Sequence, residues 1–95
     1  MPELRFTLRW PDGTRETCYS PSTIICDHLA PGTAYRLADF VAVSRTALTA
    51  ASERVRARYG SPCGLALGQL ARIEATAARF AGQPDAHVLF ESFTE

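Results

Sequence analysis

Leu37-Ala-Asp-Phe-Val-Ala-Val-Ser-Arg-Thr-Ala-Leu-Thr-Ala-Ala-Ser-Glu-Arg-Val-Arg-Ala-Arg-Tyr59 runs without a proline or glycine. Leu37, Val41, Leu48, Val55 and Tyr59, with the small Ser44 and Ala51 between them, fall on one stripe at helical period. Arg45, Glu53, Arg54 and Arg56 fall outside it. The spacing predicts a long amphipathic helix over 37–59. Asp39 in its first turn and Arg54, Arg56 and Arg58 near its end complement the helix dipole.

Outward from this helix, punctuation is clear on both sides. Gly60 stands where a left-handed C-cap is wanted. Ser61 and Pro62 are suited to the N-cap and first position of a second helix, running to about Phe80, with Ala66, Leu70, Ile73, Ala77 and Phe80 on one stripe. So short a connection implies an antiparallel helical hairpin. Near the start, Leu4, Phe6, Leu8 and Trp10 alternate with polar residues, which predicts a half-buried strand. Pro11-Asp12-Gly13 turns the chain into a second strand over Thr14–Tyr19. Residues 88–93, Val-Leu-Phe-Glu-Ser-Phe, read as a final strand.

The stretch 20–29 supports two readings. Ser20 as N-cap and Pro21 as first residue would open a short helix, whereas the β-branched Thr23-Ile24-Ile25 suits an extended segment. Either way Ile24, Ile25 and Leu29 anchor it to the core. Thr33 to Arg36 read as a lead-in to the long helix. The sum is a single α+β domain over 1–95, ordered β-β-(short helix)-α-α-β, with the helices on one face of a small sheet. Counting chain reversals, the final strand should run antiparallel to the second strand, hence parallel to the first. The long helix, roughly 35 Å at 1.5 Å per residue, exceeds strands of about 20 Å. The hairpin tip, Arg56 to Leu65, should therefore project beyond the sheet.

Composition excludes several classes. Hydrophobic residues make up 46% and charged residues 21% of the chain, ordinary for a globular domain. Net charge is zero, which disfavours nucleic-acid binding by bulk electrostatics. All ten basic residues are Arg, a mark of genomic base composition rather than of function. No apolar run reaches the length of about 18 residues that a membrane span needs, so no membrane partner is expected. The N-terminus alternates from its start and lacks signal-peptide character, pointing to a cytoplasmic protein.

Candidate sites are few. Cys63, second in its helix after Ser61-Pro62, lies where a helix N-terminus can favour a thiolate, so it is the one candidate catalytic residue. The competing reading is a small side chain at a tight junction, and His28 and His87 are the available bases. Cys18, Cys26 and His28 are candidate metal ligands, but their spacing matches no zinc motif. No metal and no cofactor is therefore expected, and an odd cysteine count disfavours a disulfide framework. Arg5, Arg9 and Arg15 on the hairpin's wet face could hold phosphates, diluted by Glu3 and Glu16. No glycine-rich phosphate loop and no nucleophile-elbow motif occurs. In the final strand, Val88 and Phe90 would face one way and Leu89 and Phe93 the other. Either the 20–29 segment or a second subunit would then cover the extra apolar face. A homodimer closed by a two-fold axis, with Leu89, Phe93, Val88 and Phe90 as interface residues, is the expectation.

The segments Arg-Trp-Pro-Asp-Gly, Cys-Tyr-Ser-Pro-Ser, Leu-Ala-Pro-Gly, Leu-Ala-Asp-Phe-Val, Ala-Ser-Glu-Arg-Val-Arg-Ala-Arg-Tyr-Gly and Gln-Leu-Ala-Arg-Ile-Glu resemble a family of small bacterial proteins. That family is named for a nitrogen-starvation response in mycobacteria. The resemblance runs in order from Pro2 to about Phe93, departing at Arg36 and Gly64. It implies a gene cluster with a nitrilase, a radical-SAM protein, an acetyltransferase-like protein and a flavoprotein, linked to cyanide assimilation. It implies no catalytic residues. The leading expectation is a non-enzymatic accessory or interaction protein of that pathway, with cluster-encoded proteins as further partners. The alternatives are a small enzyme or carrier using Cys63, and a nucleic-acid-binding regulator using Arg5, Arg9 and Arg15.

Overall fold

A computed structural model describes residues 3–61, 63–83 and 85–94. The alternation of Leu4, Phe6, Leu8 and Trp10 becomes strand β1 (Leu4–Arg9), with the apolar set buried. At the turn, Gly13 N–H donates to the Trp10 carbonyl (2.9 Å) and Trp10 N–H to the Thr14 carbonyl (2.8 Å). Gly13 takes φ +87°, which only glycine adopts freely, so a three-residue loop matches the twist of the strands. Asp12 accepts from the Thr14 hydroxyl and N–H, which hold its carboxyl below the ordinary value. Strand β2 (Arg15–Ser20) returns antiparallel to β1.

Helix α1 (Ile25–His28) decides the 20–29 ambiguity for a short helix, but Ile24 holds its N-cap position. Ser20 ends β2 instead, its hydroxyl bonded to the Ser22 carbonyl (2.7 Å). Ile25 and Leu29 are buried in the same core as the long helices, and α1 packs against the first of these. This segment therefore lies on the helical side and leaves the other face of the sheet open.

Thr33 to Arg36, read from sequence as a lead-in, form strand β3 (Thr33–Arg36). Gly32 N–H donates to Phe90 O (2.7 Å) and Leu37 N–H to Ala86 O (3.0 Å), fastening the segment to the final strand. Helix α2 (Leu37–Tyr59) and helix α3 (Gly64–Ala78) follow, and strand β4 (His87–Thr94) closes the chain. The sheet order is β2-β1-β4-β3 and every neighbouring pair is antiparallel. The final strand is thus antiparallel to the first, not parallel to it. The extra strand β3 adds one chain reversal before the helical hairpin, which inverts the direction expected for β4.

The helical stripe is turned relative to the sequence reading. Phe40, Ser44, Ala47, Leu48, Ala51 and Ser52 are buried on α2, while Leu37 and Val41 are partly buried and Tyr59 is 66% exposed. The sheet reaches less far than the helix, so apolar positions past Ser52 lose their cover. Phe40 meets Trp10 edge-on (6.0 Å), and Trp10 stacks on Phe80 (6.2 Å). Burying aromatics of this size is worth about 1.5–3 kcal/mol each. The predicted α3 stripe, Ala66, Leu70, Ile73, Ala77 and Phe80, is buried throughout, Phe80 in the turns after the helix. Gly60 caps α2 at φ +86°, its N–H bonded to Arg56 O (2.7 Å). Ser61 is not the N-cap of α3: Cys63 holds that position and Gly64 begins the helix. The proposed helical start at Pro62 lies outside the described residues.

Candidate functional site

Helices α2 and α3 lie side by side, and on their outer side the facing positions are mostly alanine. Side chains this short cannot meet across the gap. They leave a groove of about 610 Å³, floored by Leu37, Ala38, Val41 and Ala42 from α2 and by Ala77, Ala78 and Ala81. Its rim carries Arg36, Arg45, Asp39 and Glu74, two charges of each sign. Arg45 and Glu74 form an exposed ion pair between the two helices. The volume is in the range of ligand clefts, and an apolar lining with a few charged groups is the usual character of a binding site. One signal could have located this groove from sequence: Ala38, Ala42 and Ala78 are apolar positions outside the buried stripes.

The three cysteines are dispersed. Cys18 is buried in the sheet, and desolvation, followed by the Glu16 carboxylate, pushes its thiol far up. Such a thiol is inert as a nucleophile at neutral pH. Cys26 is half-buried on α1 and His28 is exposed at the end of that helix. Among the described residues, no three His, Cys, Asp or Glu side chains converge to hold a metal ion. Cys18, Cys26 and His28 therefore do not form a ligand set.

Cys63 precedes α3 rather than standing second in it. Its N–H donates to the buried Ser52 hydroxyl (3.0 Å), which ties the hairpin's two helices together. It also lies near the Tyr19 phenol, whose ionisation is opposed by burial first and then by Glu3 and Cys63. His87 stands at the other end of the fold, paired with Arg36 where α2 begins, its Nδ1 2.7 Å from the Asp85 carbonyl. Through this backbone bond Cys63 helps to anchor the start of α3 to α2.

The arginines of the open sheet face are largely engaged. Arg9 and Arg15 stand directly opposite each other, an arrangement that like charges disfavour. Glu91 lies between them, with Nε of Arg9 at 3.0 Å and Nε of Arg15 at 3.1 Å from its two oxygens. Arg5 pairs loosely with Glu3 (3.7 Å) and lies over the Tyr19 ring.

Glu91 owes its place to a bulge. Phe90 pairs with Leu8 and Ser92 with Thr7, so Glu91 is the extra residue between them. The insertion shifts the alternation beyond it. Phe93 pairs with the inward-facing Phe6, so it belongs with Val88 and Phe90 rather than with Leu89. Val88 and Phe90 are 0% exposed in the core, Phe90 stacked on Phe6, and Phe93 is 37% exposed near the strand's end. The four candidate interface residues therefore do not share a surface. Leu89 alone among them stands on the open face, half-buried and opposite Arg9.

A family model described as nitrogen starvation-induced protein NitG matches residues 5–93, from β1 through β4. The chain belongs to the NitG family. No curated protein and no solved structure matches it. The NitG match takes in both helices of the groove, the bulge at Glu91 and the capped hairpin, so these features lie within the family's span.

Proposed function

We propose that this NitG-family chain is a non-enzymatic interaction protein of the nitrogen-starvation response, working in the cytoplasm as a homodimer. The observation that carries this reading is the alanine-floored groove between α2 and α3. A two-fold interface places the same patch on both partners, so it must complement itself. Two positive and two negative rim charges around an apolar floor meet that requirement: Asp39 of one copy can face Arg36 of the other. The open sheet face is a poorer candidate, because its one candidate interface residue, Leu89, stands there opposite Arg9, whose charge together with that of Arg15 is already held by Glu91. The dimer would present a larger platform for proteins encoded beside it, the nitrilase-cluster setting that the family resemblance implies.

The role is tested by affinity purification of the tagged chain from nitrogen-starved cells, beside an Ala42→Arg variant that fills the groove. Cluster-encoded proteins recovered with wild type and reduced with the variant support the reading. Equal recovery of the same proteins by both, or recovery of none with wild type, contradicts it.

A further inference from the structure

The sheet ends in edge strands β2 and β3, and the two are finished differently. Along β2, α3 packs beside the strand, and the buried Gln69 accepts the outward Tyr19 N–H at its Oε1 (3.0 Å). Covering or capping an edge in this way keeps stray strands from pairing with it. Along β3 nothing comparable stands among the described residues. The Leu37 N–H turns toward β4, where it meets the Ala86 carbonyl (3.0 Å). Backbone direction alternates along an antiparallel strand, so the N–H and C=O groups of Ala34 and Arg36 turn away from β4. Both residues are exposed, and among the described residues those groups have no hydrogen-bond partner. Ala34 stands on the open face opposite the half-buried Leu89, and Arg36 makes no ion pair among the described residues.

We propose that the β3 edge takes up an extended segment of a partner protein as a further strand, with a carboxylate opposite Arg36 and a large apolar side chain opposite Ala34. Outward N–H and C=O groups at alternate residues are matched by another extended chain, which offers its own at the same spacing. A helix keeps its backbone bonded within itself and cannot do this. Side chains then select the segment. Ala34 is short, so a bulky apolar residue beside it can lie across it onto Leu89. Arg36 lacks a counter-charge in the sheet, and its neighbour on β4, His87, supplies none. If the added strand is antiparallel, like every other pair in this sheet, its acidic residue comes two positions before the apolar one. A second copy fits worse: paired through its own β3, it sets Arg36 against Ala34 and brings no carboxylate. The inference rests on the reading of the chain as an interaction protein, but not on the dimer. A groove dimer carries an edge on each copy, so splitting it with Ala42→Arg lowers recovery of partners through lost avidity, while the affinity of a single edge is unchanged.

The test is fluorescence anisotropy of the full chain with the labelled peptide Ser-Thr-Glu-Val-Phe-Thr, beside the same peptide with Lys for Glu and the same peptide N-methylated at Phe. Expected is binding of the Glu peptide about tenfold tighter than that of either control, since one control loses the charge match and the other a backbone hydrogen bond. Arg36→Glu should reverse the preference toward the Lys peptide. Ala34→Pro removes only an outward N–H and suits an edge position, so it should abolish binding with unchanged circular dichroism. Ala42→Arg should leave binding intact. Amide exchange at Ala34 and Arg36, fast in the free chain, should slow about tenfold with the Glu peptide. No binding of the Glu peptide at about 1 mM overturns the proposal, as does equal binding of all three peptides or a preference that Arg36→Glu leaves unchanged. Slowed exchange at Ala34 and Arg36 in the concentrated chain without peptide also overturns it, because a second copy then holds the edge. Failure of the peptide to bind leaves the groove dimer standing, whereas a monomeric wild type that binds the Glu peptide overturns the dimer alone.

Discussion

Ser44 is fully buried on α2, and its hydroxyl has no hydrogen-bond partner among the described residues. A buried, unpaired hydroxyl costs on the order of 1 kcal/mol, and Ala is also the better helix former. Ser44→Ala should therefore raise stability by about 0.5–1 kcal/mol in urea unfolding, where most core substitutions lower it. Cys18 makes a second prediction at this scale. Its folded thiol is held protonated by burial while the unfolded thiol titrates near its ordinary value of 9.0. The unfolded chain then binds fewer protons than the folded one above that pH, so the contribution present below it is lost as pH rises. Unfolding free energy should fall by up to about 1.4 kcal/mol per pH unit above pH 9. Cys18→Ala should flatten that slope between pH 9 and 10, even though it lowers stability overall.

At the scale of elements, the long helix was legible to the residue because its signals were local: unbroken helical period, then Gly60. That cap predicts a definite cost. A Cβ at Gly60 would meet nothing within 4 Å, so Gly60→Ala is penalised only by its left-handed backbone, at φ +86°. Thermal and urea unfolding should both show a loss of about 1 kcal/mol. The first hairpin was legible for the same reason, since Pro11-Asp12-Gly13 determines its own turn. Two features were not. Strand β3 has four residues, too few for alternation to register, and it exists because β4 offers it carbonyls such as Phe90 O. The bulge at Glu91 belongs to the pairing of β4 with β1, and the ion pairs it makes with Arg9 and Arg15 need the hairpin to be in place. Both are long-range effects, and missing them inverted the direction of β4 and misassigned Phe93. The groove fell between these cases. Its alanines were visible as composition, but their facing across α2 and α3 required the hairpin's register.

For the whole molecule, the fold is a two-layer α+β domain whose sheet keeps one face open and whose helices keep an apolar groove open. Burial of Ile25 and Leu29 on the helical side leaves the outer sheet face to the arginines and Leu89. We therefore propose the dimer through the helices rather than through the final strand, because small side chains there permit close approach. Ala42 is exposed in the single chain, so Arg there should be tolerated by the fold and resisted by an interface. The decisive measurement is sedimentation equilibrium at micromolar concentration of wild type, Ala42→Arg and Leu89→Asp. Assembly through the groove predicts a dimeric wild type, a monomeric Ala42→Arg and a Leu89→Asp that remains dimeric. A wild type monomeric at every concentration, or a dimer broken by Leu89→Asp and not by Ala42→Arg, would contradict it.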